Sequence, residues 1–231
     1  MQRIIVKTSD GSHSLFIKEL NEHYHSIHGA IQESEHVYIN AGLRQFISTK
    51  ETSVSLNILE IGLGTGLNAL LTLIQSERFD TNIYYTAIEA YPLELVLIEQ
   101  LNYLTLLNAQ HYANIFNEIH ICEWNKSVKL TDRFTINKKH TTLQKASIEG
   151  EYDIVYFDAF GPRVQPEMWT EDVFKKLYTV IKFNGCLVTY CAKGEVKRIL
   201  KKVGFIVEPL PGPPGKREIV RAWKNREGYK S

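Results

Sequence analysis

The chain has 231 residues, 44% hydrophobic and 23% charged, with a formal net charge of +1. That length suits one domain with a small appendage, and the composition is ordinary for a globular protein. No apolar run approaches the roughly 20 residues of a membrane span, and Met1 to Asp10 lacks the basic start and apolar stretch of a signal peptide, so the expected location is cytoplasmic.

In chain order, Arg3 to Thr8 and Ser14 to Lys18 read as short strands around Asp10-Gly11, a hairpin signal. His36 to Asn40 reads as another strand and Ala41 to Lys50 as a short helix. Residues 1–50 are therefore expected to form a β-rich segment ahead of a main domain at 51–231. His23, His25 and His28 invite a metal reading, but no carboxylate or cysteine completes a site at a recognisable spacing, and no metal is expected.

From residue 57 onward, strand and helix signals alternate. Asn57 to Ile61 is an apolar strand, followed by a glycine-rich turn and a helix with Leu67, Leu70, Leu71 and Ile74 on one face. Asn82 to Ile88 is the next strand, followed by a helix opened by Pro92. Glu118 to Glu123 reads as a third strand, and Asn125 to Gly150 as irregular, with a small hairpin of Phe134-Thr135-Ile136 and Thr141 to Leu143. Tyr152 to Phe157 is the most strand-like run; a helix capped by Thr170 follows. Gly185 to Cys191 is a strand and Lys193 to Lys202 a basic helix.

Phe205 to Glu208 and Glu218 to Trp223 close the chain as two strands joined by Pro211-Gly212-Pro213-Pro214-Gly215 without a helix, which predicts an antiparallel hairpin. The three cysteines, Cys122, Cys186 and Cys191, form no CxxC pair, so neither a disulfide framework nor a zinc ribbon is expected. Lys182 to Ser231 carries 12 Lys and Arg against 4 Asp and Glu, whereas the first 181 residues carry 15 against 22. Such asymmetry fits a basic face for phosphates, or simply solvated helix faces.

The most informative segment is Glu60-Ile61-Gly62-Leu63-Gly64-Thr65-Gly66. Glycines at a strand-to-helix turn let the backbone approach a ligand closely. Glu89 then ends the next strand, where a carboxylate can accept hydrogen bonds from both ribose hydroxyls of a nucleoside. Dinucleotides call for GxGxxG and a pyrophosphate on the helix N-terminus. Here the spacing is GxGxG with an acid two places ahead, which suits the positive end of S-adenosylmethionine and would repel a pyrophosphate. Glu123 and Trp124 end the expected third strand, where adenine would lie; Trp124 as plain core is the competing reading.

Asp158-Ala159-Phe160-Gly161-Pro162 follows the fourth strand, so Asp158 is expected in the same crevice. A carboxylate there positions an attacking amine or accepts its proton, and Phe160 attracts a cationic methyl donor or stacks on a base. The plainer alternative is that Asp158 only caps a turn. The expected fold is α/β: a Rossmann-like class I methyltransferase with a mostly parallel sheet ending in an antiparallel hairpin.

These residues have a family resemblance. Glu60 to Asn68 (EIGLGTGLN), Asp158 to Pro162 running on to Pro166-Glu167-Met168-Trp169, and Gly215-Lys216-Arg217-Glu218 together resemble the methyltransferase domain of the MnmC family. Tyr24-His25-Ser26, Gly29, Glu33 and His36-Val37-Tyr38 are similar to that domain's N-terminal pattern. The resemblance implies methylation of 5-aminomethyl(-2-thio)uridine at wobble position 34 of tRNA. It also implies Glu60, Gly62, Gly64, Gly66, Asn68 and Glu89 at the cofactor, Asp158 and Phe160 at the reacting groups, and Tyr24, Glu33, Lys216 and Arg217 toward tRNA.

Fused members of the family carry a further oxidase domain, so this sequence resembles the stand-alone (MnmD-type) form, served by a separate enzyme that supplies the aminomethyl precursor. Two rival readings remain. One is an aminopropyltransferase or another small-molecule amine methyltransferase; the aminopropyltransferases share the sheet and the ribose-binding acid, but the loop after Asp158 supplies no second Asp. A non-catalytic cofactor-binding protein is the other.

Overall fold

The computed structural model describes residues 2–48 and 55–225. The N-terminal hairpin forms as expected: β1 (Arg3–Lys7) pairs antiparallel with β2 (His13–Ile17), and β3 (Glu22–His23) adds a third strand. The Asp10 carboxylate pins the turn by accepting from the Ser12 N–H at 2.9 Å and the Thr8 hydroxyl at 2.8 Å.

The strand expected at His36–Asn40 is absent. Residues 30–48 instead run as one helical rod: α1 (Ala30–Ser34), a π-helical stretch (Glu35–Arg44) and α2 (Gln45–Ser48). β-branched Val37 and Ile39 favour a strand locally, but burial recurs at Ala30, Ser34, Val37, Tyr38, Leu43 and Phe46, which is helical spacing. A π-helical turn of this kind is rare and frequently marks a functional position. The short helix expected at Ala41 to Lys50 is found in its described part, while residues 49 and 50 and the expected domain boundary lie outside the described residues.

The main sheet comprises β4 (Leu56–Ile61), β5 (Ile83–Glu89), β6 (Ser127–Lys129), β7 (Phe134–His140), β8 (Tyr152–Phe157), β9 (Ile181–Thr189), β10 (Ile206–Pro211) and β11 (Glu218–Trp223). Their spatial order is β10-β11-β9-β8-β4-β5-β7-β6. The central five, β7, β5, β4, β8 and β9, are parallel, and β10 and β11 form the expected antiparallel hairpin, with β11 against β9. The connections carry α3 (Leu67–Arg78), the short α4 (Leu95–Ile98) and α5 (Tyr103–Leu106), α6 (Ala113–Ile121), α7 (Glu171–Val180) and α8 (Gly194–Val203).

Alternate strand residues feed two cores, one on each face. Ile58, Tyr85, Tyr156 and Val188 meet α3, α6 and the π-helical stretch; Leu59, Val155, Phe157 and Leu187 meet Phe174 and Leu177 of α7 and Val196 and Leu200 of α8. Each such buried Leu, Val or Phe contributes about 1.5–3 kcal/mol relative to exposure. Burial on both faces explains why these strands are continuous apolar runs.

The third strand lies elsewhere than expected. Glu118 to Ile121 belongs to α6, whose Phe116, Ile119 and Cys122 turn inward at intervals of three. β7 takes the third place, pairing with β5 from Ile83↔Phe134 to Glu89↔His140. Its inward residues are Phe134, Ile136 and, unusually, Lys138. The Lys138 ammonium is satisfied by the His120 carbonyl and the face of Trp124, 4.5 Å from the ring centroid. A lysine at an inward position hides the strand's alternation. The hairpin partner of β7 is β6, not residues 141–143.

From β4 the chain moves through β5 to β7 on one side, then returns at β8 on the other side of β4. The reversal leaves a crevice between the carboxyl ends of β4 and β8, the usual ligand position in an open α/β sheet. No helix among the described residues is long and apolar enough to cross a membrane.

Candidate active site

The turn from β4 to α3 is built by backbone geometry. Gly62 has φ +92°, and a Cβ there would lie 2.8 Å from the Asp158 carbonyl oxygen. Only glycine lets the ends of β4 and β8 approach this closely. Glu89, at the end of β5, accepts the Gly64 N–H at 2.9 Å on one oxygen and the Tyr91 N–H at 2.7 Å on the other. Each carboxylate oxygen keeps a lone pair for a ribose hydroxyl.

A cleft opens at this point, lined by Gly62 and Gly64, Glu89, Asn68, Asp158 and Phe160, with Tyr24 and His25 from the N-terminal segment. Its mixed polar and apolar lining suits a nucleoside cofactor. Thr141, Thr142 and Leu143 line it where the chain leaves β7. Glu123 and Trp124 do not: Glu123 is exposed and paired with Lys126, and Trp124 packs on His140 and Lys138. The difference follows from the place of the third strand, because the residues that enter the cleft after it are 141–143.

Glu60 also does not line the cavity. It is fully buried, so its carboxyl does not face a ligand, and burial pushes that carboxyl well above the usual range. Its Oε1 accepts from Asn68 Nδ2 at 3.0 Å, and the same amide donates to Asp158 Oδ2 at 2.8 Å. Glu60 therefore positions Asn68. Gly66 lies behind the turn, against the His120 ring.

Asp158 is the centre of the site. Tyr38, from the π-helical stretch, donates to its Oδ1 at 2.6 Å, and Asn68 holds its Oδ2. Burial raises its carboxyl to about 7, against the lowering effect of the Tyr38 and Asn68 hydrogen bonds. Burial keeps Tyr38 itself neutral, with its proton affinity well above normal, so it serves as donor. A carboxyl poised near neutrality with both oxygens fixed is suited to exchanging a proton with an amine.

Phe160 and Tyr24, both in the wall of the cleft, are in edge-to-face contact with ring centroids 5.1 Å apart. The Phe160 carbonyl accepts the Trp169 indole N–H at 2.7 Å, and the Ala159 carbonyl accepts the Tyr190 hydroxyl at 2.8 Å, so the loop is held from both sides. His25, also in the wall, is kept neutral by burial, with its pKa lowered to about 4; its ring contacts the Ser14 hydroxyl at 3.0 Å. Glu33 and Lys216 lie off the cavity, paired with one another, so Lys216 is not an open phosphate contact; Arg217 is exposed.

Sequence reasoning missed Tyr38, Tyr190 and the 141–143 loop as site residues. The first two act over long separations, and the third was readable only from a correctly placed β7. Among the described residues no group of three or more His, Cys, Asp or Glu has the arrangement of a metal site.

The residues present fit S-adenosylmethionine. The glycine turn leaves space that a Cβ would fill, Glu89 offers free lone pairs at the rim, and Asn68 Oδ1 is a buried acceptor without a partner, suited to an ammonium group. Comparison with known proteins agrees. A family model described as S-adenosyl-L-methionine-dependent methyltransferase matches residues 100–225, more than half of the chain. The chain is 24% identical over 216 residues to the tRNA 5-methylaminomethyl-2-thiouridine biosynthesis bifunctional protein MnmC of Campylobacter hominis, covering 91% of this chain and 31% of that protein. It is 29% identical over 222 residues to the MnmC of Cupriavidus metallidurans, covering 88% and 32%. The chain thus spans about a third of the length of these relatives.

Among solved structures, MnmC2 from Aquifex aeolicus superposes with a TM-score of 0.77 at 23% identity, over 97% of this chain and 71% of that one. That likeness shows the fold: a class I methyltransferase sheet with a small N-terminal antiparallel sheet. The chain belongs to the S-adenosyl-L-methionine-dependent methyltransferase family matched over residues 100–225, and S-adenosylmethionine is its methyl donor.

Proposed function

We propose that this enzyme methylates the primary amine of 5-aminomethyl(-2-thio)uridine at the wobble position of tRNA, giving the 5-methylaminomethyl nucleoside. The names of the MnmC relatives supply the substrate class, and the observation that carries the reading is the clamped carboxylate of Asp158 beside an aromatic slot. Residues 51–231 are assigned the transfer chemistry, with residues 1–50 contributing Tyr24, His25 and Tyr38 to the site.

S-adenosylmethionine supplies an electrophilic methyl group, and the attacking amine must present a free lone pair in line with it. An aminomethyl group arrives largely as ammonium. Asp158, with its carboxyl near 7, binds that ammonium and takes its proton at an oxygen held in place by Tyr38 or Asn68. Phe160 and Tyr24 offer flat faces against which an extruded anticodon base stacks, contacts worth about 1–3 kcal/mol per base. Arg217 and the exposed face of α8 are assigned to tRNA phosphates.

Labelled methyl donor, offered with tRNA bearing 5-aminomethyluridine, with the same tRNA unmodified, and with free polyamines, tests the proposal. Label entering only the aminomethyl tRNA supports it. Label entering the unmodified tRNA or a free amine replaces the acceptor, and cofactor binding without transfer to any of them contradicts an amine methyltransferase.

A further inference from the structure

Glu33 and Lys216 sit where neither a ligand contact nor a surface role explains them. Their side chains are 7% and 25% exposed, and they pair across the molecule, Glu33 from α1 and Lys216 from the loop between β10 and β11. A buried ion pair costs about as much in desolvation as it returns in attraction, so stability alone is a poor reason to keep one.

The surroundings give a better reason. The second Glu33 oxygen accepts the Ser26 N–H at 2.7 Å. The Lys216 ammonium stands 3.9 Å from the centroid of the Tyr190 ring, and the Tyr190 hydroxyl donates to the carbonyl of Ala159, the residue between Asp158 and Phe160. The loop that carries Lys216 is docked on the N-terminal segment: the His36 ring bonds the Pro211 carbonyl at 2.8 Å, and Gly215 leaves no space for a Cβ against the His28 ring.

The groups that act electrostatically on Asp158 are Tyr38 from the π-helical stretch, Tyr85 from β5, Tyr190 after β9, Glu60 from β4, Glu33 from α1 and Lys216. Burial holds the three tyrosines in their neutral forms and pushes the Glu60 carboxyl well above its usual range. Glu33 and Lys216 are the two opposite charges in that set, the first favouring the protonated form of Asp158 and the second the ionised form.

We propose that the Glu33–Lys216 pair is a positioning device for the reaction: it seats Tyr190 beneath the Asp158–Phe160 backbone and, by balancing two charges beside Asp158, sets how readily that carboxylate exchanges its proton. The proposal rests on the reading of Asp158 as the acceptor of the amine proton. Asp158→Asn separates the two claims, because it must abolish the acid limb of the pH profile whatever the pair does.

The test is kcat/KM for methyl transfer against pH, in the full chain, for wild type, Glu33→Gln, Lys216→Met and the double variant, with cofactor affinity measured alongside. Glu33→Gln leaves an unbalanced positive charge and moves the acid limb to lower pH; Lys216→Met leaves a negative charge and moves it higher, each by about half a pH unit or more. The double variant returns the limb close to its wild-type position, and Glu33→Asp, which keeps the charge, restores it too. Where one single variant fails to fold, the sign of the other decides. Slower turnover with the limb unmoved in every folded variant, or moved the same way by both single substitutions, overturns the proposal. A wild-type limb that survives Asp158→Asn overturns the reading of Asp158, and the proposal with it.

Discussion

The turn after β4 and the loop after β8 stand side by side on adjacent parallel strands but are built by opposite means. Gly62 to Gly66 largely shapes itself: positive-φ glycines form the bend, and Glu89 from the neighbouring strand braces it by accepting the Gly64 N–H. The Asp158–Trp169 loop is shaped from a distance. Tyr38 holds Asp158 from 120 residues earlier in the chain, Tyr190 holds Ala159, and Trp169 closes onto Phe160. Ligand capture by backbone fits in a short stretch of chain, whereas a carboxyl poised near neutrality needs burial supplied by several elements at once.

Substitutions that strike one region and spare the other sharpen this contrast. The largest effect is expected where the two touch. Gly62→Ala places a Cβ against the Asp158 carbonyl at a backbone angle that itself costs about 1–3 kcal/mol. Cofactor affinity and turnover should both fall, each on the order of 100-fold, by calorimetry and methyl transfer. A variant with both intact would show that the turn needs no glycine there.

Next is Glu89→Ala, which removes the proposed acceptors for two ribose hydroxyls, at about 1.5–3 kcal/mol for bonds to a charged group. Cofactor binding should weaken about 10- to 100-fold, with the position of the acid limb unchanged. Unaltered affinity would remove Glu89 from the ribose.

Tyr38→Phe does the reverse. Losing this donor raises the proton affinity of Asp158, so the acid limb of kcat should move up by about one pH unit while cofactor affinity holds. A limb that stays in place would mean the Tyr38 hydrogen bond does not tune the carboxylate.

The smallest effect is on stability. The folded-state pKa of Asp158 is raised, from 3.8 to about 7, so ionising it costs the folded state stability as pH rises through that interval. Below about pH 4 the carboxyl is protonated in both states and the cost vanishes. Asp158→Asn should therefore melt higher than wild type at pH 8, by about 2–4 °C for each kcal/mol of that cost in a chain of this size, with the gap closing toward pH 4. A gap independent of pH would deny the raised pKa.

The same contrast explains what the sequence made legible. The glycine turn, Glu89, the parallel core, the final hairpin and the place of Asp158 rest on local spacing, and all are found where expected. His36–Asn40 and Glu118–Glu123 fail as strands because short β-branched runs carry weak period information, and burial against the sheet makes both helical. β7 escapes notice because Lys138 breaks its apolar alternation, and the cleft-lining loop after it was lost with it. The spacing of Glu60 pointed to the correct cofactor, but the charge argument did not hold: the side chain is buried and braces Asn68. The basic count that suggested phosphate contact at Lys216 carries no information about Glu33, 183 residues away.

The proposed division of cofactor capture and proton handling between separate regions is tested most directly by Asp158→Asn, with the S-adenosylmethionine dissociation constant and the single-turnover methylation rate measured on the same preparation. The dissociation constant should stay within about threefold of wild type while the rate falls at least about 100-fold, the scale of a lost proton acceptor. Equal losses in both would make Asp158 a binding residue, and an unchanged rate would leave the amine's proton with some other acceptor.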